Sequence, residues 1–210
     1  MEFTTGNWQM EALACEAALV IGYLLGSIPF GLLITRAFGL GDIRKTGSGN
    51  IGATNVLRTG NRWAAALTLL CDAGKGAVAV VAAYALGGDL AAACAALASF
   101  LGHVYPVWLD FKGGKGVATF VGVTLALSWP VGLMMCLTWL GAAVLWRTSS
   151  LAALIAAAAT PVYLAFWKQY LFAGVVLFLA ALLFAAHRQN IRRLLEGREP
   201  KIGEGAEGAA

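Results

Sequence analysis

Long apolar runs separated by short polar stretches set the pattern of this chain. Crossing a hydrocarbon core of about 30 Å takes roughly 20 mostly apolar residues. Seven segments are candidates: 12–38, 63–86, 90–109, 117–127, 131–146, 151–166 and 170–186. The fourth is short, since about 11 residues at 1.5 Å each do not cross unaided. It either begins inside the preceding glycine-rich stretch or is half-buried. The pattern predicts an all-α, polytopic integral membrane protein of seven transmembrane helices with Gly-rich cytoplasmic loops. A short extracytoplasmic extension over 1–11 precedes the membrane domain, 12–195. A small acidic tail over 196–210, ending GEGAEGAA, reads as cytoplasmic and disordered.

The cations orient these segments. Seven crossings place Arg36, Arg44, Lys45, Arg58, Arg62, Lys112, Lys115, Arg147, Arg188, Arg192, Arg193, Arg198 and Lys201 on one side, 13 of the 15 Lys and Arg. Lys168 falls on the other side and Lys75 within the second span. The positive-inside rule then puts the N-terminus outside and the C-terminus in the cytoplasm. Six crossings would split the basic loops between two sides. Composition agrees: 60% of the 210 residues are hydrophobic and 12% charged, with a mean hydropathy of +0.75. Soluble domains carry about 25% charge, so this chain could not cover a soluble surface. A net charge of +4 is too mild to argue for nucleic acid. Cys15, Cys71, Cys94 and Cys136 all lie in apolar runs without a C-x-x-C pair, which supports neither a metal site nor a disulfide framework. The opening MEFTTGNWQMEAL carries acids where a signal peptide has its basic region, so no cleavable signal is expected.

Chemistry is expected on the inner side, where the long polar loops gather. The segment 42–60 holds four glycines with Ser48, Asn50, Asn55 and Arg58. Glycine admits positive φ and close approach, successive free N–H groups form an anion-binding nest, and Arg58 offers a fork suited to phosphate. Taken together these residues favour an anion site over a lipid-anchoring loop. The stretch FKGGKGVAT at 111–119 resembles a phosphate loop but lacks the Walker A spacing. A nucleotide hydrolase is therefore disfavoured. Gly113, Gly114 and Gly116 would expose backbone donors beside the mobile charge of Lys115. His103 precedes this loop, and His187, Arg188 and Asn190 follow the last span. Arg192 and Arg193 read as interfacial anchors. Asp72 and Lys75, three residues apart on one helical face within the second span, should pair, because isolated charges in lipid are costly.

Together these segments resemble the acyl-phosphate-dependent glycerol-3-phosphate acyltransferase family of bacterial membranes. The resemblance is carried by LLGSIPFGLLI at 24–34, GSGNIGATNVLRTG at 47–60, DAGKG at 72–76, GHVYPVWLDFKGGKGVAT at 102–119 and HRQNIRRLL at 187–195. It implies transfer of a fatty acyl group from acyl phosphate to the 1-hydroxyl of sn-glycerol 3-phosphate, yielding lysophosphatidic acid and phosphate, the first acylation of phospholipid synthesis. It further implies the bacterial inner membrane, no metal or cofactor, and acyl phosphate, glycerol 3-phosphate and membrane lipid as partners, with the oligomeric state open and a monomer among the options. Lys115, His103 and Ser48 are the catalytic candidates. Lys115 with the backbone of Gly113, Gly114 and Gly116 would hold the acyl phosphate. Ser48, Asn50 and Arg58 would hold a substrate phosphate beside it. Lys75 and Arg188 are further countercharges, His187 and Asn190 would line the glycerol phosphate pocket, and Ser150 is an added contact. His103 would orient Ser48 or a substrate group, or act as base; a substrate phosphate oxygen could take the proton instead. Two rivals stand beside this reading: an intramembrane serine hydrolase using Ser48, and a transporter of organic phosphate anions.

Overall fold

A computed structural model describes residues 7–203, so the first part of the extension, 1–6, and the tail from 204 to 210 lie outside the described residues. Those residues form helices and turns, with no strand among them. Helices α1 (Asn7–Gly26) and α2 (Phe30–Ala37) stand where the apolar run predicts one span. The break has a local cause. Pro29 lacks an N–H and pushes Ile28 out of helical geometry, and the Ser27 hydroxyl caps α1 by donating to the Tyr23 carbonyl at 2.7 Å.

After α3 (Ala53–Leu57) comes α4 (Arg62–Val104), continuous except at Gly87 and Gly88. Gly88 has φ +65° and ψ −153°, a conformation essentially restricted to glycine. The chain reverses there. Asp72 stands 15 residues before Gly87 and His103 15 residues after Gly88, and their side chains meet at 3.6 Å. α4 is therefore a hairpin of two antiparallel arms, 62–86 and 89–104. α5 (Val117–Leu127) and α6 (Trp129–Trp146) are separated by Ser128 alone. Trp129 and Pro130, which read as loop, form the first turn of α6, where proline loses no helical hydrogen bond. α7 (Ser149–Phe166), α8 (Tyr170–Ala186) and α9 (Arg188–Leu195) complete the chain, with α9 bent 64° away from α8.

All seven predicted segments are helical, but the count of spans they support is lower. Among the described residues, four helical stretches are long and apolar enough to cross a membrane, or five if α8 and α9 form one bent span. The shortfall lies in α4, which counts as a single stretch, and in α5, which is too short.

Small residues let the helices touch. Gly22 and Gly26 of α1, spaced G-x-x-x-G, face the second arm of α4. A Cβ on Gly26 would lie 2.1 Å from the Ser99 carbonyl oxygen, and one on Gly102 would lie 2.3 Å from that of Tyr23. Gly122 of α5 presses on the first arm, where a Cβ would stand 1.9 Å from the Ala73 carbonyl oxygen. Phe100 and Phe120, both fully buried, meet edge to face at 6.3 Å. Outward, Leu70, Val78, Leu86, Val144 and Phe166 are exposed, an apolar exterior suited to lipid. At one end of the bundle the α4 turn, the end of α5 and the link before α8 line a cavity of about 470 Å³ that includes Asp89, Leu127 and Lys168.

Candidate active site

The remaining connections meet at the other end. The first, between α2 and α4, is organised by Asn55. This side chain is 2% exposed. Its amide donates to the carbonyls of Ile43, Thr46 and Asn50 at 2.8–3.1 Å, and its Oδ1 accepts from the Ser48 N–H at 3.0 Å. One buried amide thus closes the loop on itself. Gly47 and Gly49 take positive φ, +54° and +69°, so the chain can turn around it. The Arg58 side chain packs over Gly47, where a Cβ would lie 3.1 Å from its Cδ.

The glycine loop 113–116 serves a different purpose from the expected one. The N–H groups of Gly113 and Gly114 donate inward, to the carbonyls of Val104 at 3.0 Å and His103 at 3.1 Å. They are not donors for a ligand. These glycines are needed because the loop lies directly on the end of α4. A Cβ on Gly113 would stand 2.1 Å from the His103 carbonyl oxygen, and one on Gly114 2.1 Å from the His103 ring. Gly116, at φ +85°, sits against the Phe100 ring and caps α5. The donors left for an anion are the N–H groups of Lys115 and Gly116 and the first turn of α5. The 11 residues of α5 rise only about 16 Å, so the loop is recessed into the bundle rather than perched on its rim.

Lys115 extends from this loop toward the chain end. Its ammonium donates to Asn190 Oδ1 at 2.5 Å, and the Asn190 amide donates to Glu199 Oε1 at 2.5 Å. Glu199 also accepts from Ser150 Oγ at 2.7 Å and from Arg193 Nε at 2.6 Å. Beyond it, the Ile202 N–H donates to the Arg147 carbonyl at 2.6 Å. The stretch after α9, which reads as a disordered tail, therefore contributes a carboxylate to the cluster. Burial lowers the Lys115 pKa to about 8; the Glu199 carboxylate opposes this, while the nearby charges of Arg193 and Arg58 reinforce it. For Glu199, burial pushes the pKa up. The hydrogen bonds from Ser150, Asn190 and Arg193 outweigh it and hold the group below the usual carboxylate range.

Of the predicted site residues, the structure brings together Arg58, Lys115, Gly116, Ser150 and Asn190. His187 is buried nearby with Nδ1 on the Leu183 carbonyl at 2.8 Å, and the Lys115 charge reaches it. Ser48 lies exposed on the first loop. No hydrogen bond to its hydroxyl exists among the described residues, and neither histidine touches it, so no activated serine nucleophile is formed. Asn50 spends its Oδ1 on the Gly52 N–H. Arg188 is exposed. Lys75 is elsewhere: its ammonium is bound to Asp72 at 2.9 Å and donates to the Ile28 carbonyl at 2.8 Å, inside the bundle. Sequence reasoning missed Glu199, and took Arg193 for an anchor. The one available signal was a pair of acids, Glu196 and Glu199, in the basic stretch RRLLEGREPK; only the fold sends Glu199 to the cluster.

Comparison with known proteins follows the same outline. The glycerol-3-phosphate acyltransferase family matches residues 17–197. A glycerol-3-phosphate acyltransferase of Cereibacter sphaeroides is 63% identical over 187 residues, covering 89% of each chain. That of Caulobacter vibrioides is 61% identical over 195 residues, covering 91% of this chain and 89% of its own. A crystal structure of PlsY (YgiH), an integral membrane glycerol 3-phosphate acyltransferase in its glycerol 3-phosphate form, superposes with a TM-score of 0.85 at 40% identity, covering 90% of this chain and 96% of that one. Its lysophosphatidic acid form gives 0.82 at 38% identity, covering 90% and 95%. The matched span contains the cation cluster, the recessed loop and the helices that hold them, and the chain belongs to the glycerol-3-phosphate acyltransferase family.

Proposed function

We propose that this membrane acyltransferase takes its acyl group from an acyl phosphate, delivers it to the 1-hydroxyl of sn-glycerol 3-phosphate, and releases lysophosphatidic acid and phosphate. One observation carries the reading: Arg58, Lys115, Asn190, Ser150 and Arg193, from four separate segments, converge on a recessed glycine-lined loop with one carboxylate among them. Two phosphate-bearing reactants need such an excess of positive charge. The Lys115 ammonium and the open N–H groups of Lys115, Gly116 and the first turn of α5 would hold the phosphate of the donor, with Asn190 fixing the ammonium. Arg58, beside the first loop, would hold glycerol 3-phosphate. The recess places the donor's carbonyl beneath the headgroup level, so its chain extends between apolar helices.

In the transfer, the 1-hydroxyl oxygen attacks the acyl carbon, the new ester C–O bond forms, and the bond from the acyl carbon to the phosphate oxygen breaks. Phosphate leaves with the electron pair. Acyl phosphate is a mixed anhydride with a good leaving group, so positioning and charge stabilisation supply much of the rate. The proton goes to a phosphate oxygen of the substrates. His103 is 4% exposed and packs beneath Gly114, which argues against it as the base.

Seven crossings fit the contacts. α1 approaches the Gly87 turn at Ala14 and nears the loop end at Tyr23. The connections then alternate between the cavity end and the cation end through His187. The positive-inside rule puts the cation end in the cytoplasm of a bacterial inner membrane, with the N-terminus outside.

Purified protein supplied with glycerol 3-phosphate and either palmitoyl phosphate or palmitoyl-CoA tests the donor. Lysophosphatidic acid and phosphate should appear with the acyl phosphate alone. Equal turnover with the thioester would remove the assignment of the donor phosphate to Lys115.

A further inference from the structure

We infer that Asp72 is a positioning residue for acyl transfer, acting through His103 on the glycine loop that carries Lys115. The inference rests on the proposed place of Lys115 in the reaction. Asp72 is 2% exposed and lies well inside an apolar helix. A carboxylate there is costly and needs a reason. Neutralising Lys75 is half of one: the two groups stand 2.9 Å apart, and Lys75 also donates to the Ile28 carbonyl, joining the break between α1 and α2 to the hairpin. Yet a buried pair whose only task is mutual neutrality gains little over apolar residues of the same volume. The geometry shows a second task. The same Oδ1 that Lys75 approaches at 2.9 Å stands 3.6 Å from His103 Nδ1, and that buried ring nitrogen has no closer polar partner.

His103 is the platform of the loop. Its carbonyl accepts the Gly114 N–H, and its ring fills the space a Gly114 side chain would occupy, with Nε2 2.1 Å from that Cβ position. Lys115 is the next residue. At 3.6 Å the contact is longer than a hydrogen bond, but the buried carboxylate still favours an Nδ1 proton turned toward it, which biases the tautomer and the plane of the ring. Rotation of the ring would strike Gly114 and shift the Lys115 backbone. Displacements of this size near reacting groups cost large factors in rate. The first arm of α4 thus reaches the reaction centre through one ring, although Asp72 touches no substrate.

The test is a double-mutant cycle with a control for charge. Asp72→Asn, His103→Gln, Lys75→Met and the pairs Asp72→Asn/His103→Gln and Asp72→Asn/Lys75→Met are purified. Their thermal midpoints are compared, with kcat and KM for each substrate, using whichever donor supports wild-type turnover, so that an error in the donor is read from the wild type alone. Asp72→Asn should lower kcat/KM for the acyl donor at least tenfold in the wild-type background and less than twofold in the His103→Gln background. KM for glycerol 3-phosphate should stay within twofold. Asp72→Asn/Lys75→Met, which removes both charges, should recover the thermal midpoint but not the activity. Wild-type activity in that pair, or an equal Asp72→Asn loss with and without His103, overturns the inference and leaves a structural ion pair. Asp72→Glu keeps the charge and the Lys75 pairing, and so keeps the test readable where the neutral variants do not fold. It should hold the midpoint near wild type and lower kcat/KM at least fivefold. Full activity in that variant also overturns the inference.

Discussion

The Lys115 ammonium titrates within an accessible range, and the reaction should show it. Burial brings its pKa to about 8. Below that value the side chain is charged and can grip a phosphate; above it the charge is lost. About nine in ten molecules carry the charge at pH 7 and about one in ten at pH 9. The value of kcat/KM for the acyl donor, which reports the free enzyme, should therefore bend near pH 8 and fall about tenfold per unit above it. The kcat profile should bend at higher pH, because a bound phosphate stabilises the ammonium. Lys115→Arg supplies the perturbation, since a guanidinium stays charged past pH 12. Its activity should be lower at neutral pH, because a fork replaces a point charge on Asn190, but its kcat/KM should show no bend up to pH 9.5. Initial rates of phosphate release between pH 6 and 9.5, at donor concentrations well below KM, give both profiles. An arginine variant that keeps the bend near pH 8 would falsify the assignment, because the titrating group would then lie elsewhere.

Three further outcomes follow from the same geometry. Glu199→Gln removes the negative charge that supports the Lys115 ammonium, so the alkaline bend should move to lower pH, and kcat/KM should fall as Arg193 and Asn190 lose their charged partner; the same pH series reads both effects. Asn55→Ala strips the loop of four hydrogen bonds and leaves several buried backbone groups unpaired, a loss of about 2–4 kcal/mol, visible as a lower thermal midpoint in detergent together with a raised KM for glycerol 3-phosphate. Gly122→Ala must drive α5 from the first arm of α4, since its Cβ would sit 1.9 Å from a carbonyl oxygen. Overpacking of this kind costs about 1–3 kcal/mol, whereas Gly174→Ala on α8, where the space is open, should leave the midpoint unchanged.

The one-dimensional pattern determined the helices, because the length and apolarity of a run decide whether it can bury its backbone in lipid. It also placed the cations, since charge asymmetry between loops needs no knowledge of packing. The motifs around Ser48, His103, Lys115 and Asn190 were legible for a related reason: glycines and small polar residues between apolar runs stand out in such a composition. Tertiary structure decided what each of them does. Gly113 and Gly114 read as phosphate donors, but their N–H groups turn inward, because the loop rests on the end of α4. Lys75 read as a substrate cation, but the hairpin closes it on Asp72. Asp72 and His103 meet only because Gly87 and Gly88 fold α4 back on itself, a contact across 31 positions that no local pattern announces. Glu199 reached the site because α9 turns away from α8 and carries the following residues across Ser150. Local sequence sets which backbone conformations are cheap; long-range contacts, fixed by how close glycines let the helices approach, decide which side chains share a charge.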